Sequence, residues 1–150
     1  MVMLLSELAE CPLRLGAVPT RVVGWLVDGG GARVWGAELA PRHGRRRFVR
    51  WKQMTWGPGV VVASGVTADA DGADPFPWRA PVLGPGREPV GTLADAEVAE
   101  SGRIVFVHVS AGLIRDLTRG RRRIPVHWLD GRGLRAPLRV GRGGLEPWSR

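Results

Sequence analysis

The residues best suited to chemistry lie at His108-Val109-Ser110-Ala111-Gly112, with Asp116 and His127 downstream. A hydroxyl nucleophile, a histidine base and an orienting carboxylate are the parts of an acyl-transfer triad. The spacing argues against one. A nucleophile elbow has glycine where His108 stands, and 150 residues are too few for the large sheet that displays it. Ser110 is therefore read as the end of a strand. Asp69-Ala70-Asp71-Gly72-Ala73-Asp74 suggests a calcium loop, but its glycine is fourth instead of sixth, and position twelve is Ala80 where a bidentate glutamate belongs. His43, His108 and His127 are scattered singly, and Cys11 is the lone cysteine, so neither a metal cluster nor a disulfide framework is expected. Phosphate-cradling glycine loops of the P-loop or dinucleotide type are absent as well. The expectation is a protein with no catalytic, cofactor or metal residues, and not an enzyme.

What remains is binding potential. Arg45, Arg46 and Arg47 follow Gly44, and Arg121, Arg122 and Arg123 follow Gly120. Guanidinium forks suit phosphate or carboxylate acceptors. The plainer alternative is a solvated turn whose alternate side chains point outward. Of the seven tryptophans, Trp25, Trp35 and Trp51 sit within strand patterns, whereas Trp56, Trp78 and Trp148 stand beside glycine or proline. Such positions could expose an indole as an anchor. The two arginine triplets with Trp56 and Trp78 form the candidate macromolecule-binding set.

Composition narrows the class. Apolar residues at 44% and charged residues at 24% describe an ordinary globular chain. The net charge of +8 is almost all arginine, Lys52 being the only lysine. Residues 1–66 carry nine basic and four acidic groups, residues 67–86 one and three, and residues 87–150 twelve and seven. Two basic regions thus flank an acidic segment, which reads as a solvated connector. The apolar run Met1–Leu5 is too short for a signal peptide, and no window reaches a membrane span, so a cytoplasmic setting is expected.

The elements that must position these residues are strands. Val22–Val27, the turn Asp28–Gly31 and Ala32–Leu39 read as a hairpin; Phe48–Trp51 and Val60–Ala63 add two strands around the tight turn Trp56-Gly57-Pro58-Gly59. Leu4, Leu5 and Leu8 predict a short helical turn ended by Pro12. The pattern then returns. Val90–Asp95 repeats Val23–Asp28 at an offset of 67, Gly102–Phe106 repeats Gly31–Trp35 at 71, and Gly120–Ile124 repeats Gly44–Phe48 at 76. A duplication is expected, with a first unit at 1–68, an acidic, proline-rich linker at 69–79, a second unit at 80–140 and a tail at 141–150. Units of this size bury only about 60% of their unfolded surface. They gain by packing on each other.

Ser6-Glu7-Leu8, the V-G-x-L-x-D strand, its hairpin, Arg47-Phe48-Val49-Arg50-Trp51 and the Gly57-Pro58 strand together resemble the PRC-barrel family. That family includes the photosynthetic reaction-centre H subunit and the C-terminal domain of ribosome maturation factors. In the second copy, Pro89-Val90-Gly91, Asp95, Gly102-Arg103-Ile104, Gly112, Asp116-Leu117 and Gly120–Pro125 are similar to the family's signature. The resemblance implies an all-β fold of two six-stranded barrels in tandem with short helical turns, used for docking and not catalysis. Neither the H subunit's transmembrane helix nor the maturation factors' N-terminal domain is seen, so neither function transfers whole. The expected role is a protein–protein adaptor. The alternatives are an RNA- or ribosome-associated assembly factor acting through the arginine-rich turns, and contact with an anionic membrane surface.

Overall fold

In the computed structural model the described residues are 2–28, 30, 32–42, 45–57, 60–67, 69–70, 72–131 and 133–141. The chain is mostly strand. Alternating apolar residues form β4 (Val22–Asp28) and β5 (Arg33–Arg42), an antiparallel hairpin continued by β6 (Arg45–Arg50). The second half repeats this with β11 (Pro89–Ala99), β12 (Ile104–Ser110) and β13 (Arg122–Pro125). The helix α2 (Leu113–Arg119) is inserted before β13. A 3-10 turn follows β6 at Trp51–Gln53 and β13 at Val126–Trp128.

The repeat extends to individual cross-strand pairs. Trp25 faces Ala37 as Ala96 faces Val107, and Val27 faces Val34 as Val98 faces Ile104. Both hairpins shift register at two places, Val22/Gly24 and Leu26/Val27 in the first, Leu93/Asp95 and Glu97/Val98 in the second. Each pair of shifts is 71 residues apart, 93 minus 22 and 98 minus 27. Bulges re-aim every side chain beyond them, so shared bulges mean a shared backbone course.

The remaining strands match too. The strand β2 (Leu13–Leu15) pairs antiparallel with β3 (Val18–Thr20) and parallel with β8 (Val60–Ala63), which pairs with β7 (Met54–Gly57). Likewise β10 (Pro81–Leu83) pairs antiparallel with β11 and parallel with β14 (Leu138–Arg139). The ladders depart from the sequence offsets at two points. They equate Asp95 with Gly24, not Asp28, because Gly24 faces Glu38 as Asp95 faces His108. They also equate Val49 with Ile124, since these face Ala37 and Val107, which puts the arginine triplets one residue out of step. Residue identity follows the turns, whereas register follows which side chains face the core.

The leading strand of each half is exchanged. N-terminal β1 (Val2–Leu4) pairs with β11 of the second half, and β9 (Asp74–Pro75) pairs with β4 of the first. The segment expected as a bare connector therefore contributes a strand, and Phe76 just after it is buried at 3% exposure. An aromatic side chain amid prolines gains more from the core than from water. A single apolar cluster joins both halves, including Leu5, Trp25, Trp51 and Met54 from one and Leu93, Ile104, Ile124 and Leu138 from the other.

The helix α1 (Leu5–Glu10) buries Leu5 and Leu8 in that cluster. It is pinned on both sides: Ser6 donates its N–H and hydroxyl across to the buried carboxylate of Asp95, and within the first half Leu5 O accepts from Trp25 Nε1 at 3.1 Å. Trp51 crosses the other way, donating Nε1 to Glu100 O at 2.7 Å. The closed six-stranded barrels expected from the resemblance are not seen. Among the described residues the ladders run β13-β12-β11-β10-β14, β3-β2-β8-β7 and β6-β5-β4-β9, and none returns to its start. Many of the remaining strands are only two to four residues long, too short to carry a continuous ladder around a barrel. The Pro58-Gly59 turn and the tail beyond Gly141 lie outside the described residues.

Candidate binding cleft

The turn Pro77–Ala80 is held rigidly. Ala80 N–H reaches Pro77 O at 3.1 Å, Arg79 N–H reaches Leu93 O at 2.8 Å, and Leu93 N–H reaches Ala80 O at 2.9 Å. Phe76 anchors it from below and meets the Trp78 ring edge to face at 4.5 Å. Arg79 sits at φ +63, a left-handed conformation that costs a side-chain-bearing residue roughly 1–2 kcal/mol. The result is an indole and a guanidinium presented on a fixed loop. Trp78 is 41% exposed.

Across from this turn is the end of β12. Trp78, Arg79, Thr92, Leu93, Ala94, Ser110 and Arg121 line a cleft of about 440 Å³ between them. Its far wall is a small polar network. Ser110 Oγ donates to Asp116 Oδ2 at 2.6 Å, Ala111 N–H donates to Asp116 Oδ1 at 3.2 Å, and Arg121 Nε lies 3.7 Å from Oδ2. The Ser110 hydroxyl, then the Ala111 N–H and the Arg121 charge hold the Asp116 carboxyl below its usual range. A carboxylate so stabilised is a poor base.

Ser110 and Asp116 do meet, a contact not expected from the sequence, but neither His108 nor His127 joins them. His108 Nε2 lies 2.9 Å from Glu97 Oε2, and His127 is exposed with its ring against Trp128. Of the triplet arginines whose side chains are described, only Arg121 joins Trp78 and Arg79 in the cleft. Arg123 forms a bidentate pair with Glu97 and stacks its guanidinium 3.5 Å over Phe106. That contact, with His108 beside it, lowers the Glu97 carboxyl from its usual range. Arg122 is half-buried, and Arg47 lines a separate apolar pocket of about 70 Å³ with Leu15, Val18 and Leu39. In β13 strand geometry separates Arg122 from Arg123, because neighbouring side chains leave opposite faces. The side chains of Arg45 and Arg46, and Trp148, lie outside the described residues.

Trp56 is a correction. Instead of an exposed anchor it is half-buried, 4.9 Å from Trp51, with Nε1 buried and no hydrogen-bond partner among the described residues. Trp51 in turn lies 6.1 Å from Trp25, so the glycine-flanked indole extends an aromatic stack. Arg79 and Thr92 were not singled out in the sequence, although the Pro77 and Pro81 bracket around Trp78-Arg79 marks the turn. The Glu97–His108–Arg123 cluster was also missed, because its partners come together only through the register of β11, β12 and β13.

No protein-family model matches the chain, and no curated protein matches it. Among the described residues no group of three or more His, Cys, Asp or Glu could hold a metal ion, and no helix is long and apolar enough to cross a membrane.

Proposed function

We propose that this chain is a non-enzymatic, cytoplasmic module of two PRC-barrel-type units that docks another protein in the cleft between the Pro77–Ala80 turn and the end of β12. The pair-for-pair repetition of ladders and bulges supports the duplicated unit. The observation that carries the docking reading is Trp78, exposed on a rigid turn and flanked by Arg79 and Arg121. Tryptophan and arginine dominate protein interfaces because they offer large contact area and directed donors. A turn already fixed by three hydrogen bonds loses little further entropy on binding.

The test is capture from cell lysate on the immobilised full chain, with and without nuclease, beside Trp78→Ala and Arg121→Ala. Specific proteins retained by the parent, resistant to nuclease and lost from both variants are the expected result. Retention that nuclease abolishes, or that both variants preserve, refutes the reading.

A further inference from the structure

We propose that a second surface, the seam where the two hairpins meet, binds the phosphate backbone of a single-stranded nucleic acid. At this seam Val34 N–H donates to Gly102 O at 2.8 Å and Ile104 N–H donates to Ala32 O at 2.9 Å. These reciprocal bonds set Arg33 opposite Arg103 in an antiparallel bridge. Like charges directly opposed on a sheet repel. Arg50 and Lys52 join Arg33 in lining a cleft of about 270 Å³ here, with Trp35, Trp51 and Ser101.

All four cationic side chains are exposed, and among the described residues none forms an ion pair. The nearby carboxylates are Asp28, opposite Arg33 in the ladder, and Glu100, beside Ser101. Four cations against two carboxylates leave the seam positive. Its repulsion would be relieved by an anion lying along it.

The form of the anion follows from the rest of the lining. The cleft is open to solvent, which suits a polymer passing through it better than an enclosed small ligand. Trp35 is half-buried and carries the Arg50 guanidinium 5.4 Å over its ring. Flat cationic and aromatic groups beside a basic groove are what single strands use, phosphates on the charges and bases on the planes. An acidic peptide would satisfy the guanidiniums but offers nothing that needs the planes.

The experiment is anisotropy of a labelled twelve-nucleotide, mixed-sequence single-stranded RNA titrated with the full chain between 50 and 200 mM salt. Four phosphate contacts predict a log–log slope of up to about −3, so affinity falls by up to about 50-fold over that range. Lys52→Ala should reduce the slope by about 0.7 without changing the melting temperature. Arg33→Glu trades the repulsion from Arg103 for one with Asp28, so it should leave the melting temperature nearly unchanged while weakening RNA binding at least tenfold. Unlabelled RNA should compete, and a polyglutamate peptide of equal charge should not. A slope near zero, unchanged RNA affinity in folded Arg33→Glu, or equal competition by polyglutamate overturns the proposal.

Discussion

Replacing Gly102 by alanine should cost more than the same change at Gly16, and the difference measures how firmly the two halves are locked. Both glycines have positive φ, +88 and +62, so both variants carry a backbone penalty of roughly 1–2 kcal/mol. Around Gly16 a new Cβ meets nothing within 4 Å. At Gly102 it would stand 2.8 Å from Trp51 Cδ1 and 3.0 Å from Cγ. Trp51 cannot retreat cheaply, since Trp56 lies 4.9 Å away on one side and its Nε1 is bonded to Glu100 O. Overpacking of this kind adds about 1–3 kcal/mol. The expected loss is therefore about 2–5 kcal/mol for Gly102→Ala, against about 1–2 for Gly16→Ala. Urea denaturation followed by tryptophan fluorescence and by circular dichroism gives both values. Coincident single transitions are expected, because the exchanged strands and common core make the halves depend on each other. Equal losses in the two variants, or a second transition confined to one half, would refute the reasoning.

Ser6→Ala removes the hydroxyl donor to buried Asp95 and should cost about 1.5–3 kcal/mol in urea denaturation, as for hydrogen bonds to charged groups; a neutral change would mean the pin on α1 is unimportant. The Glu97 carboxyl is held low in the fold, chiefly by Arg123, so its contribution is present above the ordinary glutamate range, roughly pH 4.3, and is lost as pH falls through the folded value. Melting temperatures from pH 6 to pH 3 should accordingly drop less steeply in Glu97→Gln than in the parent, and parallel curves would count against that pair. Broad hydrolase and transferase screens should show no turnover, because the Ser110 hydroxyl is spent on a stabilised carboxylate with neither His108 nor His127 joined to it. Turnover abolished by Ser110→Ala would contradict this.

The hairpins and the repeat were readable from alternation and glycine punctuation, as were the short turn before Pro12 and the strand at Val60–Ala63. Several residues that carried the family resemblance turn out to be structural. Asp95 holds Ser6 in the first turn of α1, Gly102 makes room for Trp51, and Asp116 ties Ser110 to α2. Exchange of β1 and β9 could not be read, because pairing between distant segments leaves no local pattern. The acidic, proline-rich composition of residues 69–79 concealed Phe76, which a connector has no reason to bury. At the cleft, Trp78 and Arg121 were both recognisable as residue types able to bind. Their meeting with Arg79 required the turn to be pinned on Leu93, a contact set by the tertiary ladder.

Amide hydrogen exchange of the full chain, alone and with a protein retained in the capture experiment, tests the docking account most directly. Slowed exchange confined to residues 77–80, 92–94 and 110–121, and absent in Trp78→Ala, is predicted. Protection centred on the seam around Arg33 and Arg103, or no protection beside Trp78, would contradict it.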